Sequence, residues 1–195
     1  MYILVPYKLF AGRGFFIKLT ILSERGNVVN RHVLSILVGN QAGVLSRVTG
    51  LFSRRGYNID SLSVGVTEDE KYSRITVVVY CDDDSIEQII KQVEKLYDVI
   101  RVVELSPEKA VYRELALIKV KTDAASRAEV ISIVDIFRAN IIDVATESIT
   151  IEITGDEDKI MAFTNLMESF GIKEIVRTGL TALCRGNNPI KKIKF

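Results

Sequence analysis

Histidine occurs once, cysteine twice and tryptophan not at all in 195 residues. One histidine cannot supply a multi-histidine metal site. Cys81 and Cys184 lie about 100 residues apart with no CxxC spacing, which excludes a thiolate zinc cluster. Two cysteines at this length do not build a disulfide framework, so a reducing, cytoplasmic setting is expected. Charge of one sign is missing too. Basic residues number 26 and acidic residues 25, a net charge of +1. A chain devoted to nucleic-acid phosphate carries a strong basic excess or patch, so nucleic acid is not expected as a partner. No apolar run reaches the roughly 20 residues of a membrane span. The opening Met1-Tyr-Ile-Leu-Val-Pro6 is apolar, but Lys8, Arg13 and Lys18 break up the residues after it. A secretory signal has the opposite order, charge first, so neither signal nor membrane attachment is expected.

What is present is 48% apolar and 26% charged residues, the composition of a folded domain rather than a disordered chain. Residues 1–29 read as an N-terminal extension of open role, either an added strand or sequence upstream of the usual start in relatives. Within it, Arg13-Gly14-Phe15-Phe16-Ile17 faintly matches an RNA-binding strand motif. Phe16 stands where that motif needs Gly or Ala, so it carries little weight.

From Arg31 onward one pattern is used twice. Val33 to Val38 is a β-branched apolar run, hence a strand. Asn40-Gln-Ala-Gly43 is a turn. Val44, Leu45, Val48, Leu51 and Phe52 come next at helical spacing, and Gly56 ends the helix. Strands are expected at Tyr57–Val66 and Tyr72–Tyr80. Asp82-Asp-Asp-Ser85 opens a helix, as capping and acidic residues do. Val99–Leu105 closes the unit as a strand. The order is βαββαβ, the ferredoxin-like arrangement. Pro107 marks a linker over 107–111. The same order then recurs: a strand at Glu114–Lys121, a helix at Ala124–Arg138, strands at Ile141–Thr146 and Ser148–Thr154, a helix at Asp156–Phe170 and a strand region at Ile172–Leu183. Leu51-Phe52…Asn58-Ile59-Asp60 is echoed by Ile136-Phe137…Asn140-Ile141-Ile142-Asp143. The expected class is α+β, with two related ferredoxin-like βαββαβ domains.

The turn at 40–45 carries the most chemistry. Free N–H groups at a helix N-terminus favour a carboxylate or phosphate. Gly43 lets a ligand approach the backbone. Asn40 either caps the helix or holds an ammonium or carboxylate group. Asn58 either lies beside that turn or is a plain turn residue after Gly56. Neutral amides with helix N–H groups suit a zwitterionic amino acid better than a phosphate, which calls for Lys or Arg in the turn. His32 reads as a surface or edge residue, Asp82–Asp84 as a helix opening. Arg54-Arg55 and Lys191, Lys192 and Lys194 read as solvated, Cys81 and Cys184 as inert.

The stretch from Arg31 to Asp60, above all Leu51-Phe-Ser-Arg-Arg-Gly-Tyr-Asn-Ile-Asp-Ser-Leu62, resembles the small regulatory subunits of acetolactate synthase. Ser73-Arg-Ile-Thr76, Gln92–Val99, Arg113–Val120, Arg177-Thr-Gly179 and Arg185-Gly186 extend the resemblance over about 31–186. It implies an ACT domain at 30–106 and a C-terminal ferredoxin-like domain at 112–186, with a tail at 187–195. It implies a homodimer through the ACT domains, with valine or another branched-chain amino acid at the interface. Carried over by position, the ligand turn is Asn40, Gln41, Ala42, Gly43, Val44 and Leu45, and the facing contact is Asn58 and Ile59. The resemblance also implies that the chain is non-catalytic and holds no cofactor. Activity, with thiamine diphosphate, Mg and FAD, would belong to the large catalytic subunit that this chain activates and makes sensitive to valine. Arg177 and its neighbours are one candidate surface for that subunit. Two other readings stay open: a stand-alone ACT-domain sensor controlling gene expression, and a small enzyme using acidic or cysteine groups. The absence of a helix-turn-helix segment and the +1 charge speak against the sensor.

Overall fold

The apolar run from Val33 to Val38, buried on both faces, forms the central strand of an antiparallel sheet. In the computed structural model, which describes residues 3–11, 14–22, 28–187 and 190, this strand is β3 (Val28–Gly39). Two strands precede it, β1 (Ile3–Ala11) and β2 (Gly14–Leu22), paired antiparallel from Ile3↔Leu22 to Ala11↔Gly14. β2 joins β3 through Ile21↔Val29 and Leu22↔Val28. The extension thus contributes two added strands. Arg13 of the faint RNA motif and Lys191, Lys192 and Lys194 of the tail lie outside the described residues.

After β3 come α1 (Val44–Arg54), β4 (Ile59–Val66), β5 (Tyr72–Cys81), α2 (Asp83–Val93) and β6 (Val99–Glu104). β3 is flanked by β5 and β6, and β4 lies outside β5. This is the ferredoxin-like order, with the fourth and third strands on either side of the first. Because side chains alternate across a strand, Leu34, Ile36 and Val38 share a face with Ile75, Val77 and Val79. Val44, Val48, Leu51 and Phe52 of α1 and Ile86, Ile89 and Val93 of α2 pack on that face. Phe52 is fully buried, and a side chain of that size contributes about 1.5–3 kcal/mol. α1 ends where Gly56 takes φ +72 and Tyr57 N–H reaches back to Phe52 O at 3.1 Å. This is the left-handed closure that glycine favours.

The chain divides between Ala110 and Val111, and the residues from Cys184 group with the first unit. The second unit repeats the order with β7 (Ala110–Lys121), α3 (Arg127–Ile136), β8 (Asn140–Ala145), β9 (Ser148–Gly155), α4 (Glu157–Glu168) and β10 (Ile172–Arg177). Its sheet runs β10-β7-β9-β8, and β11 (Thr181–Cys184) also pairs β7. The core joins Ala116, Ile118 and Val120 to Ile149, Ile151 and Ile153 beneath Val130, Val134, Ile160, Phe163 and Met167. Phe137 meets Phe163 edge-on at 5.3 Å, a preferred aromatic geometry. The α+β class and both βαββαβ units are as expected.

Three details differ from the sequence reading. α3 begins at Arg127, not Ala124, because the Asp123 carboxylate accepts the N–H groups of Ala125 and Ser126 at 3.0 and 2.8 Å and holds a turn there. Those bonds also hold the Asp123 carboxyl below its ordinary pKa. The last strand region is two strands, parted at Thr178–Leu180. β7 takes up Ala110 and Val111 of the expected 107–111 linker.

Candidate functional site

The turn after β3 is held by one backbone bond to the β4–β5 connection and one within itself. Asn40 N–H donates to Lys71 O at 2.8 Å, and Gln41 N–H to Gly39 O at 3.0 Å. The Asn40 side chain faces the same connection. Its Nδ2 donates to Glu70 O at 2.9 Å, and its Oδ1 accepts from Ser73 Oγ at 3.0 Å. Asn40 therefore does not cap α1. Gly43 does, with φ +82, a conformation that favours glycine.

This leaves α1 with an unusual start. Asp82 caps α2 and accepts Ser85 N–H at 2.8 Å, and Asp156 caps α4 and accepts Lys159 N–H at 3.0 Å. Both helices carry acids in the first turn. α1, like α3, has no side-chain cap, and it also lacks the first-turn acid that α3 has in Glu129. Arg47 folds back instead, and its Nη1 would lie 3.2 Å from a Cβ on Gly43. The Arg47 guanidinium is paired there with Asp98, Nε to Oδ2 at 2.7 Å, so what the start of α1 offers an anion is its own unsatisfied N–H groups.

Asn40, Gln41, Ala42 and Gly43 are exposed at this end, and Leu45 is 40% exposed. Val44 points into the core, so its side chain is part of the packing. Asn58 is exposed just before β4, and Ile59 is half-buried. The strand register corrects one expectation. Gly39 pairs with Tyr72, whereas Ile59 pairs with Val79, which pairs with His32. Seven residues of β3 separate the two ends, roughly 23 Å at 3.3 Å per residue. Asn58 does not lie beside the turn of its own chain; the two sit at opposite ends of one sheet.

His32 is not a surface residue. It is 7% exposed, with Nδ1 2.7 Å from Glu104 Oε1 and Nε2 3.6 Å from Asp83 Oδ1. Beside Arg31 at the start of the expected strand it reads in sequence as an edge position, and its partner Glu104, 72 residues away, leaves no local signal, which is why the expectation failed. Nearby, burial pushes the Cys81 thiol up to about 12, and Asp82, Glu104 and Asp83 add to the shift. Such a thiol is a poor nucleophile at neutral pH. Among the described residues no group of three or more His, Cys, Asp or Glu side chains converges to hold a metal, and no helix is long and apolar enough to cross a membrane. Arg177 is committed to the buried Glu114, with Nε 2.9 Å from Oε1 and Nη2 bonded to Oε2.

Sequence reasoning missed Ser73, Arg47 and Asp98 as neighbours of the turn. Ser73 left one signal, a lone hydroxyl ahead of the apolar run of β5. The others left none, since their contacts join distant segments.

Two family models match the chain. One, described as the AHAS small subunit-like ACT domain, covers 34–101, and the other, the small subunit of acetolactate synthase, covers 113–186. An acetolactate synthase small subunit of Mycobacterium bovis is 52% identical over 163 residues, 84% of this chain and 97% of that one. A probable acetolactate synthase small subunit of Archaeoglobus fulgidus is 52% identical over 157 residues, 80% of this chain and 98% of that one. The crystal structure of the acetolactate synthase small subunit from Thermotoga maritima superposes with a TM-score of 0.76 at 45% identity, covering 82% of this chain and 99% of that one. With both halves matched in order and at this identity, the chain belongs to the acetolactate synthase small-subunit family.

Proposed function

We propose that this chain is the non-catalytic regulatory partner of a thiamine-diphosphate-dependent acetolactate synthase subunit in the cytoplasm. It raises that subunit's activity and makes it respond to valine. Thiamine diphosphate, Mg and FAD belong to the catalytic partner in this reading.

One observation supports the site most directly: the turn and Asn58 lie at opposite ends of one sheet. β4 is the outer strand beside β5. Two copies pairing antiparallel along β4 bring the Asn58 end of one to the Val66 end of the other. Val66 pairs with Ser73, next to the turn end of the sheet. A two-fold dimer thus assembles a complete site from the turn of one copy, Asn40 to Leu45, and Asn58–Ile59 of the other. The start of α1 receives a carboxylate, the asparagine amides receive ammonium or carboxylate, and no strong charge is left for a phosphate or acidic side chain. Valine between two copies binds best at one relative orientation, so it shifts the complex toward that state.

The test mixes the purified chain with a catalytic subunit and follows acetolactate formation with and without valine. Activity should rise on mixing and fall with valine. A mixture that neither gains activity nor responds to valine, leucine or isoleucine overturns the reading. Asn40→Ala should shift the valine response to much higher valine while activation survives.

A further inference from the structure

An exposed asparagine ordinarily turns its amide between two nearly equivalent orientations. Asn40 is held in one. Glu70 O can only accept, so the 2.9 Å contact identifies Nδ2. The other end, Oδ1, accepts from Ser73 Oγ at 3.0 Å. Ser73 is 6% exposed. Its backbone pairs with Val38 on one side and Val66 on the other, so it stands between the strand that ends in the turn and the edge strand β4. It shares its face of β5 with the core residues Ile75 and Val77. A hydroxyl among such neighbours is costly unless it is bonded, and its partner here is the Asn40 oxygen.

An asparagine amide has two N–H groups and two principal lone pairs. Glu70 O takes one N–H and Ser73 takes one lone pair. One N–H and one lone pair remain, a donor for a carboxylate and an acceptor for an ammonium group. Both are offered in a fixed direction without the entropy cost of ordering the side chain on binding.

We propose that Ser73 is a positioning residue of the amino-acid site: it locks the Asn40 amide so that its remaining N–H and lone pair meet the carboxylate and ammonium of a neutral amino acid. The proposal rests on the reading of the 40–45 turn as that site.

The test titrates valine by calorimetry into the full-length wild type, Ser73→Ala, Ser73→Thr, Asn40→Ala and the double variant Ser73→Ala/Asn40→Ala. Ser73→Ala should bind about five- to tenfold more weakly with an unchanged dimer, and Ser73→Thr, which keeps the hydroxyl, should recover most of the loss. On the Asn40→Ala background Ser73→Ala should add nothing, because it acts through Asn40. A separate readout needs no ligand. In 15N-labelled protein the Asn40 side-chain signal, identified by its loss in Asn40→Ala, should move toward the free-amide position in Ser73→Ala. An unmoved signal, affinity within twofold of wild type, or an equal loss on both backgrounds overturns the role of Ser73 while leaving the site in place. If the wild type binds none of valine, leucine and isoleucine, the site itself falls and the proposal with it.

Discussion

Arg47 Nε and Asp98 Oδ2 stand 2.7 Å apart, and the two side chains differ sharply in exposure, 50% for Arg47 and 11% for Asp98. Asp98 also accepts Gly39 N–H through its main-chain oxygen at 2.9 Å. The pair therefore ties the start of α1 to the end of β3. Its two halves are not equivalent. Arg47→Ala strands a mostly buried carboxylate, which should cost about 2–3 kcal/mol. Asp98→Ala leaves a guanidinium that water already reaches, which should cost about 1 kcal/mol. Urea unfolding of the two variants checks the order; equal losses would mean that the carboxylate is solvated after all.

Gly43 and Gly56 separate backbone strain from contact. Both have positive φ, +82 and +72, but a Cβ on Gly43 would meet Arg47 Nη1 at 3.2 Å, while one on Gly56 would meet nothing within 4 Å. Alanine at either position should cost about 1–2 kcal/mol of strain. Only Gly43→Ala should also displace Arg47 and weaken valine binding. Thermal midpoints compared with calorimetric affinities give both readouts, and a fall in valine affinity for Gly56→Ala would contradict the assignment.

Arg177 grips Glu114 through two nitrogens, and Glu114 is 6% exposed at its side chain. Lysine cannot reproduce that fork. Arg177→Lys should lose about 1 kcal/mol of stability and Arg177→Ala about 2–3 kcal/mol. If Arg177→Ala keeps its stability and loses only activation of the catalytic subunit, its role is at a partner surface instead.

Cys81 should make stability depend on alkaline pH. Its folded pKa is raised from 9.0 to about 12. Between those values the unfolded thiol has lost its proton and the folded one has kept it, so stability falls as pH rises. The contribution is whole below pH 9 and is lost through the folded pKa. Cys81→Ala should show a shallower decline than wild type across that window in denaturant titrations. At pH 8 a thiol reagent should label Cys184 in the folded chain and reach Cys81 only after unfolding.

Much of the fold was legible because period and punctuation agreed. Val33 to Val38 is a short apolar, β-branched run, Val44, Val48, Leu51 and Phe52 step at helical spacing, and Asp82 and Asp156 open their helices as acids do. What was not legible depends on pairing across long separations. Ser73 and Asn40 are 33 residues apart, and Glu114 and Arg177 are 63 apart; no local pattern announces either. The start of α3 was missed because Asp123 favours a turn where composition favours helix. The turn at 40–45 stood out locally, but its separation from Asn58 became visible only once the register of β3, β5 and β4 was known.

That separation decides how a defect is inherited by an assembly. If each site draws its turn from one copy and Asn58 from the other, an Asn40→Ala chain and an Asn58→Ala chain complement each other. In a dimer of one of each, one site carries both lesions and the other carries none. Refolding equal amounts together should restore on the order of a quarter of the wild-type high-affinity sites, although each variant alone binds only weakly. No such recovery arises where each copy holds a complete site, so counting sites in the mixture measures who owns them.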